Sequence, residues 1–296
     1  MKLKEKPSRI VFIVINTILL VLITYVCIVP IWHMVMASIS NPTALNTHIG
    51  LVFWPLRNVD GQAYRIILQY NKLWSSYGNT LLYIVSTCLL TAVLTTVAGY
   101  VFSRKSFRFR NGFMMIISFT MLFNGGMIPS YIVMKGLHLT DTPWVLIIPG
   151  ALSVFNIIIM RTSMENVPME LSEAAKIGGA TDLRILWSVI LPLCKATFAV
   201  IMLFTAVAKW NDYFSALLYL PTRSDLYPLQ MVLREILITS TADITSNAAD
   251  LAESSTIYKK GIEYASIVVS TLPVLCIYPF IQKYFVTGIT MGAVKS

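Results

Sequence analysis

The chain has 296 residues, 56% of them apolar and 12% charged, with a formal net charge of +9. Ordinary soluble domains carry about 25% charged residues, and a water-facing fold of this length has no means of hiding so much apolar surface. The composition excludes a soluble enzyme, a disordered protein and a disulfide scaffold, and it implies an all-α integral membrane protein.

The amino-terminal apolar run, Ile10 to Ile31, contains no charged residue. As a helix it rises about 33 Å, enough to span a bilayer. That is longer than the roughly 7–15-residue apolar stretch of a secretory signal, so 10–37 is read as a retained first span. Five more spans are expected at 78–103, 112–134, 142–160, 193–220 and 261–285. Pro30, Pro129, Pro149, Pro273 and Pro279 fall inside these stretches, which implies bent helices whose neighbours satisfy the freed carbonyls. The loops at 38–77 and 221–258 are long. The first carries Trp54, Pro55, Tyr64, Tyr70 and Trp74, aromatics that suit a membrane interface or a docked partner. Cys27, Cys88, Cys194 and Cys276 lie in or beside apolar runs without metal or disulfide spacing, and read as small apolar fillers.

Charge sets the orientation. Segments 1–9, 104–111, 161–195 and 283–296 hold 14 basic and 5 acidic residues, whereas the opposite loops hold 8 of each. The whole excess lies on one side, which is the cytoplasm by the positive-inside rule. Both termini are then cytoplasmic, and six spans satisfy that parity. The same asymmetry accounts for the basic balance without a nucleic-acid partner.

The segment between the fourth and fifth spans has the richest local chemistry. Pro168 suits a first helical turn. Leu171, Ala174, Ala175 and Ile177 give the helix an apolar face. Gly178 and Gly179 stop it, Thr181 or Asp182 caps a second helix, and Pro192 marks the entry to the next span. Such a helix either lies on the lipid surface or forms a knob for a groove on a cytoplasmic partner. Small Ala174, Ala175, Gly179 and Ala180 permit close backbone approach.

Glu173-Ala174-Ala175, then Gly179-Ala180, then Leu191-Pro192, resembles the EAA loop of ABC importer permeases. Trp210 to Phe214 is similar to the fifth span of carbohydrate permeases, and Gln282 to Lys295 to their carboxyl terminus. Phe123 to Pro129 and Pro149 to Asn156 resemble the polysaccharide and oligosaccharide branch, related to maltose-type importers. Two positions depart from the pattern: Gly178 stands where an Asp is usual, and Ala196 where a Pro is frequent.

The resemblance implies a type I permease forming a single membrane domain over 1–296, with a five-span core at 77–285 and its loop at 164–192. It implies a bacterial inner-membrane subunit of a binding-protein-dependent importer for oligosaccharides or polysaccharide fragments. The implied partners are a second permease, a cytoplasmic ABC ATPase dimer, an extracellular or periplasmic solute-binding protein and the lipid bilayer. No phosphate-cradling G-x-x-x-x-G-K-[ST] is present, so ATP and magnesium belong to the ATPase and the chain is not itself an enzyme. Glu173, Ala174, Ala175, Gly179, Ala180, Arg184 and Pro192 are then the ATPase-coupling residues.

Intramembrane polar groups are candidates for the sugar path: Asn124, Asn156, Asn211 and Asp212. Lys209 and Asp212 have the spacing of a helical ion pair. Tyr131, Trp210 and Tyr213 offer ring faces to sugars, or serve as packing. Bonds to neighbouring helices are the alternative role for the polar set. The competing functions are a permease for a non-sugar solute, an ATP-independent carrier or channel, and a membrane enzyme. A proton carrier should bury acids or histidines at mid-membrane, where this chain has Asp212 and little else. For a membrane enzyme no nucleophile–base spacing is seen.

Overall fold

A computed structural model of the chain describes residues 7–123, 125–238 and 258–276, and among these all regular structure is helical. They fall into two compact units, 1–71 with 235–273 and 72–234 with 274–296.

In the first unit α1 (Pro7–Ser38) is a 32-residue helix that continues through Pro30. Its apolar window is 0% buried within the chain, so it offers an apolar surface on every side, as a membrane helix does. Its carboxyl end is tied down. Asn41 caps α2 (Pro42–Thr47) by accepting the Ala44 N–H at 3.3 Å. Ala37, Leu45 and Val52 form a small core with Tyr264 against it. The Val52 N–H donates to His33 Nδ1 at 2.9 Å, and the His33 ring meets Tyr264 edge-on. On α3 (Gln62–Leu68), the Tyr64 hydroxyl bonds Ser38 Oγ at 2.7 Å. Trp54, by contrast, stays exposed. The helical segment 258–276 joins this unit through Lys260 Nζ, which donates to the Asn46 carbonyl at 3.2 Å.

The second unit starts with α4 (Asn71–Ser103), whose buried side is mostly hydroxyls: Ser76, Thr80, Thr87, Thr91 and Thr95. Small hydroxyl residues let membrane helices approach closely. The chain then runs through α5 (Arg110–Leu122), α6 (Met127–Gly136), α7 (Trp144–Ala151), α8 (Val154–Glu165) and α9 (Met169–Ile177). After α10 (Asp182–Ile185) the ladder widens into a π turn, Leu186–Ile190, before α11 (Leu191–Leu193). Pro192 has no N–H to give the Ser188 carbonyl, and the wider turn accommodates its ring. The run Asp182–Leu193 then meets α12 (Lys195–Trp210) at 85°. Tyr100, Met160, Met164, Ile185, Leu186, Ile190, Cys194 and Ile201 make the core of this end. At the other end, beyond α13 (Phe214–Tyr219), the segment before α14 (Leu229–Ile238) is fastened to α4. Tyr83 Oη donates to the Leu226 carbonyl, and the Leu229 N–H to Thr80 Oγ1, each at 2.8 Å.

Among the described residues two helices are long and apolar enough to cross a membrane, or up to five if each bent pair counts as one span. Three of the expected spans therefore need correction. The stretch 112–134 is two helices, α5 and α6. The stretch 142–160 is broken at Leu152–Ser153, where a bend at Pro149 was expected. The stretch 193–220 ends at Trp210, because Asp212 accepts the Ser215 N–H at 3.1 Å and starts a new helix there. Of 261–285, residues 277–285 lie outside the described part, as do Asn124 and the carboxyl-terminal motif 282–295. Of the four cysteines Cys194 packs in the core, Cys88 is half-buried, and Cys27 and Cys276 are exposed.

Candidate functional site: a broken span and an exposed loop helix

The break in the fourth span follows from three residues within 149–153. Pro149 removes one helical donor. Leu152 and Ser153 take extended backbone, with φ −115° and −118°. Ser153 then caps α8, its Oγ accepting the Asn156 N–H at 3.4 Å. The two half-helices meet at 42°. Irregular backbone at membrane depth persists only where protein or a cavity satisfies it. Here Thr91 Oγ1 on α4 donates to the Ala151 carbonyl at 2.8 Å, an interhelical bond of a kind that contributes about 0.6 kcal/mol on average in a membrane.

Lys209 of α12 lies across this break. A β-carbon on Gly150 would sit 2.5 Å from Lys209 Cε and 2.8 Å from Nζ, so glycine is what admits the lysine. Lys209 Nζ pairs with Asp212 Oδ2 at 2.9 Å, the two side chains being 11% and 20% exposed. In so shielded a place neither charge is stable alone. Gly150, Ser153, Asn156, Phe204, Lys209 and Asp212 line a recess of about 460 Å³, within the size range of small-molecule sites. Its wall combines one ion pair, an amide and a hydroxyl with an aromatic face. Such a surface suits a ligand with both hydroxyls and C–H faces.

The other sugar-path candidates stand apart from this recess. Trp210 is buried and packs on Tyr77, with ring centroids 6.3 Å apart. Tyr131 stacks on Tyr219 at 6.1 Å. Tyr213 is partly exposed and lies beside Phe214 and the Arg234 guanidinium. Asn211 donates to the Val207 carbonyl at 2.8 Å, closing α12. So of the described candidates Asn156 and Asp212 are brought together and the aromatics are not. Gly150, Ser153 and the role of Lys209 in the wall were missed. The signal was there in part: a proline followed four positions later by a capping serine, inside an apolar run, is a stop-and-restart pattern.

The loop helix has its own logic. Pro168 sits one position before α9 rather than in its first turn, at φ −54° and ψ 133°. Glu170 in the first turn and Lys176 in the last match the helix dipole. The end is a Schellman motif. The Ala180 N–H donates to the Ala175 carbonyl at 3.0 Å, and the Gly179 N–H to Lys176 at 2.9 Å. Gly179 takes φ +79° there, in the left-handed region that disfavours side-chain-bearing residues. Thr181 Oγ1 then accepts the Arg184 N–H at 3.4 Å and caps α10, while Lys176 and Asp182 pair across the turn at 3.1 Å.

The loop residues divide by direction. Ala175 and Ala180 pack against the core, and Ser172 is the buried residue of α9. Glu173, Ala174, Gly179, Arg184 and Pro192 are exposed. The apolar residues do not share one inward face: Leu171 is exposed and Ile177 is 90% exposed. Sequence reasoning also missed Arg104, at the end of α4. It donates from Nη1 to Ser172 Oγ at 3.0 Å, and its guanidinium lies 4.3 Å from the Tyr100 ring centroid. The two partners are 68 residues apart, and no local pattern connects them.

The family described as "Binding-protein-dependent transport system inner membrane component" matches residues 92–290. The chain belongs to this family. Protein LplC of Bacillus subtilis is 36% identical over 285 residues, covering 96% of this chain and 95% of that protein. The polygalacturonan/rhamnogalacturonan transport system permease YtcP of the same organism is 36% identical over 276 residues, covering 93% and 95%. A crystal structure of a bacterial ABC transporter involved in the import of the acidic polysaccharide alginate aligns with a TM-score of 0.86 at 33% identity, over 96% of this chain and 100% of the matched one. This inner membrane component is thus a type I ABC importer permease with the all-α fold expected, and the ATP-independent carrier reading is set aside.

Proposed function

We propose that this permease carries oligosaccharides, with acid-sugar fragments as its preferred cargo. It would work with a second permease, a cytoplasmic ATPase dimer that uses ATP and magnesium, and a solute-binding protein on the far side. Both termini lie in the cytoplasm in this reading, on the strength of the positive-inside asymmetry. The observation that carries it is α9. A nine-residue helix anchored by buried Ser172 and by Ala175 against the core keeps Leu171, Glu173, Ala174 and Ile177 facing outward, as a knob for a groove requires. We assign it as the coupling helix. The recess beside Lys209 is assigned to the sugar path because it sits at a broken helix, where freed backbone and polar side chains converge. The acid-sugar preference rests on the cargo named for YtcP and for the alginate importer, and on the Lys209 ammonium in the wall. An ammonium has three donors, one of which goes to Asp212.

The test is a tagged pull-down from native membranes, followed by reconstitution with the co-purifying chains. A second permease, an ATPase and a binding protein should come down together. Uptake of oligogalacturonides should then exceed uptake of neutral malto-oligosaccharides. Purification of the chain alone, without vanadate-sensitive ATPase activity, would overturn the importer complex. Equal uptake of neutral chains would overturn the acid-sugar preference.

A further inference from the structure

Arg104 follows directly on α4, and its guanidinium is held from two directions. Nη1 donates to Ser172 Oγ at 3.0 Å, and the Tyr100 ring supports the plane from one turn earlier. Ser172 is 5% exposed and is the buried residue of α9. Thirteen residues back along the same helix, about 20 Å away, Thr91 donates to the Ala151 carbonyl at the broken span. A helix is stiff over that distance. One rod therefore carries a hydrogen bond to the loop helix at its end and another, at its middle, to the broken span whose Gly150 and Ser153 line the recess.

The contact also has a spare group. Among the described residues Arg104 Nε is buried and finds no hydrogen-bond partner. A buried donor left unmade disfavours the arrangement that contains it, and so biases the guanidinium toward any second arrangement that satisfies it.

We propose that Arg104 is a positioning residue for transport, tying the α9 coupling helix to the broken span through α4. The inference rests on the assignment of α9 and the recess under Proposed function. The Arg104 hydrogen bond to Ser172 converts a displacement of α9 into a displacement of Thr91 against Ala151. A second route from α9 runs through α10, α11 and the 85° turn into α12, which carries Lys209. The Arg104 route acts on the opposite wall of the recess, so both are needed for it to open and close as a unit.

The experiment uses the reconstituted importer with the native cysteines replaced and Ser153→Cys as a reporter in the recess. The probe is a maleimide, and the conformational trigger is ATP with vanadate. In the importer otherwise unaltered, trapping should change the labelling rate by about fivefold or more, the low end of typical coupling between sites. Arg104→Ala and Ser172→Ala should each keep vanadate-sensitive ATP hydrolysis while the labelling rate no longer responds to trapping. Ser172→Thr, which retains the hydroxyl, should restore the response. The Arg104→Ala, Ser172→Ala double variant should be no worse than either single one. A full response in Ser172→Ala overturns the inference, as does loss of ATP hydrolysis in Arg104→Ala with Ser172→Ala unaffected. A reporter that never responds, even without the Arg104 and Ser172 changes, overturns the assignment of the recess and the inference with it.

Discussion

Gly150 and Gly179 both sit where a helix is interrupted, one in the broken span and one after α9. At Gly150 the restriction is space. A β-carbon would meet the far end of Lys209 at 2.5 Å, and the backbone itself is helical. At Gly179 a β-carbon would meet nothing within 4 Å, and the restriction is handedness, φ +79°. The two differ in what must yield on substitution. A lysine end swings aside at modest cost, whereas a left-handed residue fixes the path from α9 to α10 and can yield only by moving backbone. The recess is consequently adjustable by side chains, and the loop is not.

Substitutions should expose that contrast. Gly179→Leu carries the largest effect: uptake is abolished while expression and insertion stay normal, and Gly179→Asn, which tolerates the left-handed region, keeps most of it. Wild-type uptake by Gly179→Leu would remove the loop from the coupling path. Next is Asp212→Asn, which leaves the Lys209 charge unpaired beside a low-dielectric wall. It should lower stability by about 3 kcal/mol, read as a fall in the thermal midpoint of the purified complex. A third, smaller effect belongs to Gly150→Ala. The displaced Lys209 should cost about 1 kcal/mol in rotamer strain, and uptake should drop by more than that loss of stability explains. If stability and uptake fell together, the lysine would be a packing residue rather than part of the path.

The smallest effect concerns pH. The Arg223 guanidinium donates to both Asp225 carboxylate oxygens at 2.8 Å, which holds the Asp225 carboxyl below its ordinary range. A depressed carboxylate contributes stability above its unfolded value, near pH 4. That contribution is lost as pH falls through the native value. Both groups are exposed, so salt should weaken it. The thermal midpoint of Asp225→Asn, followed from about pH 6 to 3, should be flatter than that of the unaltered protein.

Much of this architecture was legible in the sequence, and the exceptions have two causes. The first two spans are long unbroken apolar runs and appear as α1 and α4. The loop punctuation, with Gly179 left-handed and Thr181 as a cap, is local chemistry and reads directly. The Lys209–Asp212 pair is three residues apart on one helix and reads the same way. What did not read was set by distant contacts. Trp210 packs against Tyr77 on another helix, a contact that no local pattern announces. Arg104 counts among the basic residues of segment 104–111, and Ser172 carries no local signal of its own. Their significance lies in a contact across 68 residues. The broken third and fourth spans were hidden for a different reason: hydropathy measures how apolar a stretch is, not whether its backbone is continuous.

The threonine stripe of α4 has a mechanical side. Thr87, Thr91 and Thr95 are about one helical turn apart, and while Thr91 holds the Ala151 carbonyl, the buried hydroxyls of Thr87 and Thr95 find no partner among the described residues. A shift of α4 by four residues, about 6 Å along its axis with a rotation of about 40°, would bring an equivalent hydroxyl to the same carbonyl. Intermediate positions would leave that carbonyl bare. The helix is notched like a bolt with detents, which favours discrete steps over continuous drift.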